Sequence, residues 1–213
     1  LGGSADGVLT QYRIFPKRAL IKTPNHLSDI EAAALPCAGV TAWSAVIKLG
    51  GIQPGQTVLT QGTGGVSLFA LQFAKLCGAR VIATSSSDAK IERLKQLGAD
   101  HTLNYKATPD WGKKAREWSG HGVDLVVEVG GVGTLNESIR ATRIGGTIGF
   151  IGVLAGPPTS DSRLPLMVMQ QQDVRSLAQA ARSLSVPFRE VDERRYQRDF
   201  ERRIGRLMQR QIV

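Results

Sequence analysis

A short apolar run, a glycine-rich turn and a helical pattern follow one another in Thr57-Val-Leu-Thr-Gln-Gly-Thr-Gly-Gly-Val-Ser-Leu-Phe-Ala-Leu-Gln-Phe-Ala-Lys75. Few folds accommodate that order. Val58 and Leu59 read as a buried strand, and Val66, Phe69, Leu71, Phe73, Ala74 and Leu76 as the helix after it. Between them Gly62, Gly64 and Ser67 stand at the spacing G-x-G-x-x-G/A, with serine in the third position. Each position has a physical task. Gly62 permits a tight strand-to-helix turn, and Gly64 lets the backbone approach a pyrophosphate whose charge sits at the helix N-terminus. The third position requires only a small residue for close packing of helix on strand, which Ser67 supplies. Gly65 and Val66, which finish the turn, join Gly62 and Gly64 as candidate dinucleotide contacts.

After the turn the chain alternates regularly. Val81–Thr84 reads as a strand, Asp88–Leu97 as a helix stopped by Gly98, His101–Tyr105 as a strand and Trp111–Trp118 as a helix. Val123–Val129 is a strongly apolar strand, Thr134–Arg143 a helix and Thr147–Val153 a further strand. Strands separated by helices of this length mean βαβ units and a parallel sheet. The expected fold class is therefore α/β, a doubly wound Rossmann-type sheet over about 55–155. Ahead of it, Ser28-Asp-Ile-Glu31 is a capping box for a short helix that Pro36 is expected to break. A second helix is expected from Ala38 to Leu49, ending at Gly50-Gly51. Residues 6–15, with Leu20 and Ile21, read as short strands whose pairing partners must come from elsewhere.

The charge of this 213-residue chain is uneven: 27 Lys and Arg stand against 18 Asp and Glu, a net +9. Residues 171–213 hold 10 basic and 6 acidic side chains, and every basic one is arginine. Such a segment invites either an arginine-rich site for an anionic partner or an altered, non-native continuation of the chain. The break is abrupt, which favours the second. Nucleic acid is accordingly not the expected partner. Two cysteines, Cys37 and Cys77, make no disulfide framework, so a reducing cytoplasm is the expected compartment. No membrane span is read, and the chain starts at leucine, which suggests a piece of a longer protein.

Beyond the turn, Leu35-Pro-Cys-Ala-Gly-Val-Thr-Ala-Trp43, Gln53-Pro-Gly-Gln-Thr-Val58, Leu97-Gly-Ala-Asp-His101 and Glu128-Val-Gly-Gly131 carry a resemblance. Over residues 5–170 the chain resembles the C-terminal portion of medium-chain dehydrogenases/reductases of the alcohol dehydrogenase and quinone oxidoreductase kind. The resemblance implies that residues 1–25 end an incomplete GroES-like substrate domain and that 26–170 form the NAD(P)-binding domain; it stops there, and 171–213 read as an atypical tail. It also implies an NADP-dependent oxidoreductase, homo-oligomeric in its full-length form. Hydride would pass between nicotinamide and a carbonyl, alcohol, quinone or enone substrate; the chain by itself is expected to be inactive. A non-catalytic dinucleotide-binding module, or a zinc-dependent alcohol dehydrogenase in the longer protein, are the alternatives.

The choice of NADP over NAD rests on charge. A carboxylate ending the second strand would hold the ribose hydroxyl of NAD and repel the 2′-phosphate of NADP. Ser85 occupies that place, within Ser85-Ser-Ser-Asp-Ala-Lys90, while Asp88 is read as a cap for the next helix. By resemblance, Lys90 and Tyr105 embrace the 2′-phosphate and Thr41 contacts the nicotinamide end. Val129, Gly130, Ile151, Gly152 and Val153, at the carboxyl ends of strands, line the ligand crevice of an open parallel sheet. Cys37 stands where zinc-dependent relatives place a catalytic-zinc cysteine. It is expected to be buried and inert, and zinc is not expected in this chain, since catalytic zinc needs three protein ligands. His26, His101 and His121 have no ligand-like spacing and read as surface residues, Cys77 as core, and Trp111 with Trp118 as one packing stripe.

Overall fold

The structure, a computed structural model, describes residues 6–152 and the strand Asp173–Ser176. Strands β1 (Thr57–Gln61), β2 (Arg80–Ser85), β3 (His101–Asn104), β4 (Val123–Glu128), β5 (Thr142–Phe150) and β6 (Asp173–Ser176) form one sheet in the order β3-β2-β1-β4-β5-β6. Every pairing is parallel. The chain leaves β1 in one direction to reach β2 and β3, then crosses back to lay β4 on the other side of β1. The switch point thus lies between β1 and β4, which pair through Val58 with Leu125, Leu59 with Val126 and Thr60 with Val127.

Alternation along these strands feeds two cores. Val58, Val81, Ala83, Leu125 and Val127 face one layer, made by α3 (Gly65–Leu76), the preceding helical segment and Leu94 of α4 (Asp88–Gln96). Leu59, Ile82, Val126 and Ile148 face the other, with Trp111 and Ala115 of α5 (Trp111–Ser119) and Ile139 of α6 (Val132–Ala141). All five residues of β1 are buried, as a strand covered on both faces requires. Phe73 anchors the first layer, with Trp43 edge-on at 5.4 Å and Phe69 stacked at 5.9 Å.

The helix ahead of the sheet departs from its sequence reading. Ser28 caps α1 (Asp29–Ala33) with the expected reciprocal box to Glu31. Pro36 does not end the helical path, however. It lies in the first turn of a π-helical stretch, Leu35–Gly39, that runs into α2 (Val40–Trp43) and a second π stretch, Ser44–Leu49. Proline is tolerated in a first turn because its missing N–H would have had no partner there.

The strands expected between residues 6 and 21 do not form. Those residues are irregular apart from a 3₁₀ turn at Lys17–Ala19, and Leu9, Tyr12, Ile14 and Ile21 are exposed. A strand is stabilised by its neighbour's hydrogen bonds, and none of the described strands pairs with this segment. At the other end the sheet exceeds the 55–155 span, because β6 pairs with Thr147–Phe150. Four residues with Asp173 and Arg175 among them give no periodic signal of their own. Val153 and residues 177–213 lie outside the described residues, and no helix among those described is long and apolar enough to cross a membrane.

Candidate dinucleotide site

Two strand-to-helix turns and the residues that follow β5 meet at the carboxyl ends of β1, β4 and β5. In the first, Gly62 takes φ +74°, a conformation that favours glycine, and donates its N–H to the Thr84 carbonyl at 2.8 Å, prolonging the β1–β2 pairing. Gly64 then serves as N-cap of α3 in an extended conformation (φ −77°, ψ 168°), and no side chain caps the helix. Among the described residues a Cβ on Gly64 would meet no atom within 4 Å, so neither backbone geometry nor their packing demands glycine there. An uncapped N-terminus of a 12-residue helix behind an open space is a cradle for an anion's oxygens. Ser67 is buried and its hydroxyl donates to the Gln61 carbonyl at 2.6 Å, closing the turn on the strand it leaves.

In the second turn, Val129-Gly130-Gly131 joins β4 to α6 above a polar cluster. Glu128 is fully buried. Its Oε1 accepts from the N–H groups of Gly130 (2.8 Å) and Gly131 (2.9 Å) and from the Thr134 hydroxyl. Its Oε2 accepts from Gln61 Nε2 (2.7 Å) and from the Ser138 hydroxyl. The Gln61 Oε1 accepts in turn from the N–H groups of Val129 (3.1 Å) and Gly130 (3.2 Å). The residues after β5 rest on this second turn: Ile151 and Gly152 donate to the Glu128 carbonyl at 2.8 and 3.0 Å. A Cβ on Gly152 would fall inside the Val129 carbonyl, so the two loops approach as closely as backbones can.

Ser85 ends β2, buried, with its hydroxyl accepting from the Ser87 N–H at 3.3 Å. Tyr105 follows β3, exposed, and its backbone N–H donates to the Ser85 carbonyl at 3.0 Å, so these two residues are brought together. Lys90 is exposed in the first turn of α4. Asp88 does not cap that helix. Ser87 holds the cap position, and the Asp88 carboxylate instead accepts from Asn104 Nδ2 at 2.7 Å. Thr41, half-buried, lies on α2, and the π stretch before it packs against the start of α3: a Cβ on Gly65 would sit 3.1 Å from that of Ala38.

Cys37 is exposed, not buried. The π stretch buries Leu35 and Gly39 and turns Cys37 outward. Among the described residues no group of three His, Cys, Asp or Glu side chains could hold a metal ion. Cys77 is half-buried against the first core layer. His26 and His121 are exposed; His101 is half-buried, stacked on Trp118 at 5.1 Å, with the Arg80 guanidinium 5.4 Å from the same ring. That burial lowers the His101 pKa. Trp111 is buried in the second layer and Trp118 packs against it.

Neither Gln61 nor Glu128 is given a site role by the sequence pattern, although Glu128 opens one of its motifs and a signal is there. Glu128 ends the run Val123-Asp-Leu-Val-Val, a strand apolar enough to be buried, where a carboxylate must find donors.

Comparison with known proteins agrees with this architecture. The profile of the zinc-binding dehydrogenase family matches residues 65–187. A zinc-type alcohol dehydrogenase-like protein of Schizosaccharomyces pombe is 48% identical over 163 residues, covering 75% of this chain and 47% of that protein. The crystal structure of an NAD-dependent alcohol dehydrogenase shares 39% identity at a TM-score of 0.70, over 76% of this chain and 47% of that one. The quinone oxidoreductase of Thermus thermophilus, also solved in complex with NADPH, shares 32% at 0.65, over 80% and 55%. The chain spans about half the length of the curated relatives it matches. With its glycine turn on β1, its sheet order and a match over more than half its length, the chain belongs to the zinc-binding dehydrogenase family of medium-chain oxidoreductases.

Proposed function

We propose that the crevice at the carboxyl ends of β1, β2, β4 and β5 binds a nicotinamide dinucleotide, NADP in preference to NAD. The observation that carries this reading is Gly64: nothing among the described residues requires glycine there, yet its missing side chain leaves the uncapped N-terminus of α3 open. The first-turn amides of α3 would hold the pyrophosphate and neutralise part of its charge. Ser85, Lys90 and Tyr105 would receive the 2′-phosphate, since a hydroxyl, a cation and a phenol suit an anion that a carboxylate would repel. Thr41, Val129, Gly130, Ile151, Gly152 and Val153 would orient the nicotinamide end.

The bound nicotinamide would supply or accept the hydride. The protein's part is to hold it in a fixed place and keep water out. We assign that activity, with a carbonyl or alcohol, quinone or enone as substrate, to the longer protein. Residues 1–25 would be the end of its substrate domain, and the exposed Leu9, Tyr12, Ile14 and Ile21 would pack there. The chain alone is expected to bind cofactor without turnover, as a binding module. The test is a fluorescence titration of the 213-residue chain with NADPH and NADH, beside Gly64→Val. Saturable binding, tighter for NADPH and lost in the variant, is expected. No binding of either nucleotide, or equal binding by the variant, overturns the reading.

A further inference from the structure

We infer that Gln61 and Glu128 are positioning residues that set the Val129–Gly131 loop before the cofactor arrives, so that the nicotinamide half meets a rigid surface. The inference rests on the dinucleotide reading and goes beyond it by naming what shapes the site from beneath.

The donors that Glu128 satisfies are not scattered. Two are consecutive loop amides, Gly130 and Gly131; two are hydroxyls of α6, Thr134 and Ser138; the last is Gln61, the residue before the glycine turn. Gln61 covers the remaining amide, Val129, and also donates to Ser138 Oγ at 2.8 Å. The backbones of the same two residues hold the glycine turn and the end of β5, through Ser67 on the Gln61 carbonyl and Ile151 and Gly152 on the Glu128 carbonyl. One pair of residues, through side chains and backbone carbonyls together, thus ties the glycine turn, the β4–α6 loop and the end of β5 to one another.

Stability alone does not account for a carboxylate here. Taking a charge wholly out of water is costly, and well-packed apolar residues often serve a core as well or better. What an apolar residue cannot do is fix the direction of two successive amides, Gly130 and Gly131, beside the one that Gln61 holds. A loop fixed in advance loses less conformational freedom when a ligand settles on it, which strengthens binding by that saving.

The acceptor and donor count makes the inference testable by exchange. In Glu128→Gln the new amide would face that of Gln61, donor against donor. In the double variant Gln61→Glu/Glu128→Gln every pair is restored with roles reversed. The carboxylate now on β1 would accept from Val129, Gly130 and the new amide at the end of β4. The carbonyl oxygen of that amide would accept from Gly130, Gly131 and Thr134.

The experiment titrates the 213-residue chain and its variants with NADPH and with adenosine 2′,5′-bisphosphate, which would reach the Ser85 side and, through its 5′-phosphate, the glycine turn, but has no nicotinamide half to meet the Val129–Gly131 loop; circular dichroism follows folding. Glu128→Gln is expected to weaken NADPH roughly ten- to hundredfold, the effect of one buried donor left unpaired. The bisphosphate should bind as before, and the double variant should recover NADPH affinity to within about twofold. Unchanged NADPH binding by Glu128→Gln overturns the inference. So does an equal loss for both ligands, which marks a merely structural role, or a double variant no better than the single. Should Glu128→Gln fail to fold, Thr134→Val, which removes one donor at constant volume, decides by the same contrast of ligands. Wild-type chain that binds neither NADPH, NADH nor the bisphosphate defeats instead the dinucleotide reading itself.

Discussion

The Ser67 hydroxyl donates a 2.6 Å hydrogen bond to the carbonyl of Gln61, six residues earlier and on the strand from which its helix departs. Serine at the third motif position is therefore more than a small residue that lets helix and strand approach. It supplies the strand's last carbonyl with a partner inside the turn, a service that glycine or alanine cannot give.

Ser67→Ala is expected to lower unfolding stability by about 1 kcal/mol, the net worth of one buried hydrogen bond together with a carbonyl left unpaired. NADPH affinity should change far less, because the Gly62–Gly64 backbone keeps its other contacts. Urea unfolding and a titration on the same preparation check this. A variant as stable as wild type would mean that the bond contributes nothing.

Gly62 and Gly64 should part company when substituted. Gly62→Ala forces a Cβ onto a backbone at φ +74° and is expected to cost about 1–2 kcal/mol of stability. Gly64→Val enters an extended backbone with no atom of the described residues within 4 Å of its Cβ, so the melting temperature should hold while dinucleotide binding disappears. Thermal melts and binding isotherms for both variants decide. A destabilised Gly64→Val with intact binding would reverse the assignment of roles.

Cofactor preference should follow the charge at the end of β2. Ser85→Asp is expected to shift the NADPH/NADH affinity ratio by about tenfold or more toward NADH, a carboxylate there repelling the 2′-phosphate and gaining the ribose hydroxyl. Lys90→Ala should weaken NADPH several-fold and leave NADH alone. Ratios that stay the same in both variants would dismiss Ser85 and Lys90 from the phosphate site.

His101 predicts a pH dependence at the opposite end of the sheet. Burial lowers its pKa because the imidazolium loses water, so below the ordinary value of 6.5 the unfolded chain binds the proton more readily than the folded one. Stability is then unaffected by this group above that value and falls as the pH drops through it toward the lower folded value. His101→Phe, which keeps a ring against Trp118, should flatten the fall in melting temperature between about pH 7 and 5 relative to wild type. Parallel curves for the two proteins would count against it.

Local pattern sufficed for much of this molecule. The apolar runs at Val58–Leu59, Val81–Thr84 and Val123–Val127, spaced by amphipathic helices, determine a parallel sheet, because strands covered on both faces and joined by helices have few other ways to bury themselves. The Gly62–Ser67 spacing likewise announced its turn, since backbone geometry at that place is a short-range matter. Tertiary structure decided what depends on partners distant in sequence. Residues 6–21 alternate like strands and remain irregular because no described strand pairs with them, whereas Asp173–Ser176, featureless alone, is a strand because the edge of β5 receives it. The helical path continues through Pro36 as a π turn, and Cys37 faces outward on it. Gln61 and Glu128 lie 67 residues apart, and only the pairing of β1 with β4 sets amide against carboxylate beneath the loop. A sequence displays the type of each group, but a buried charge acquires its role from donors that folding alone brings to it.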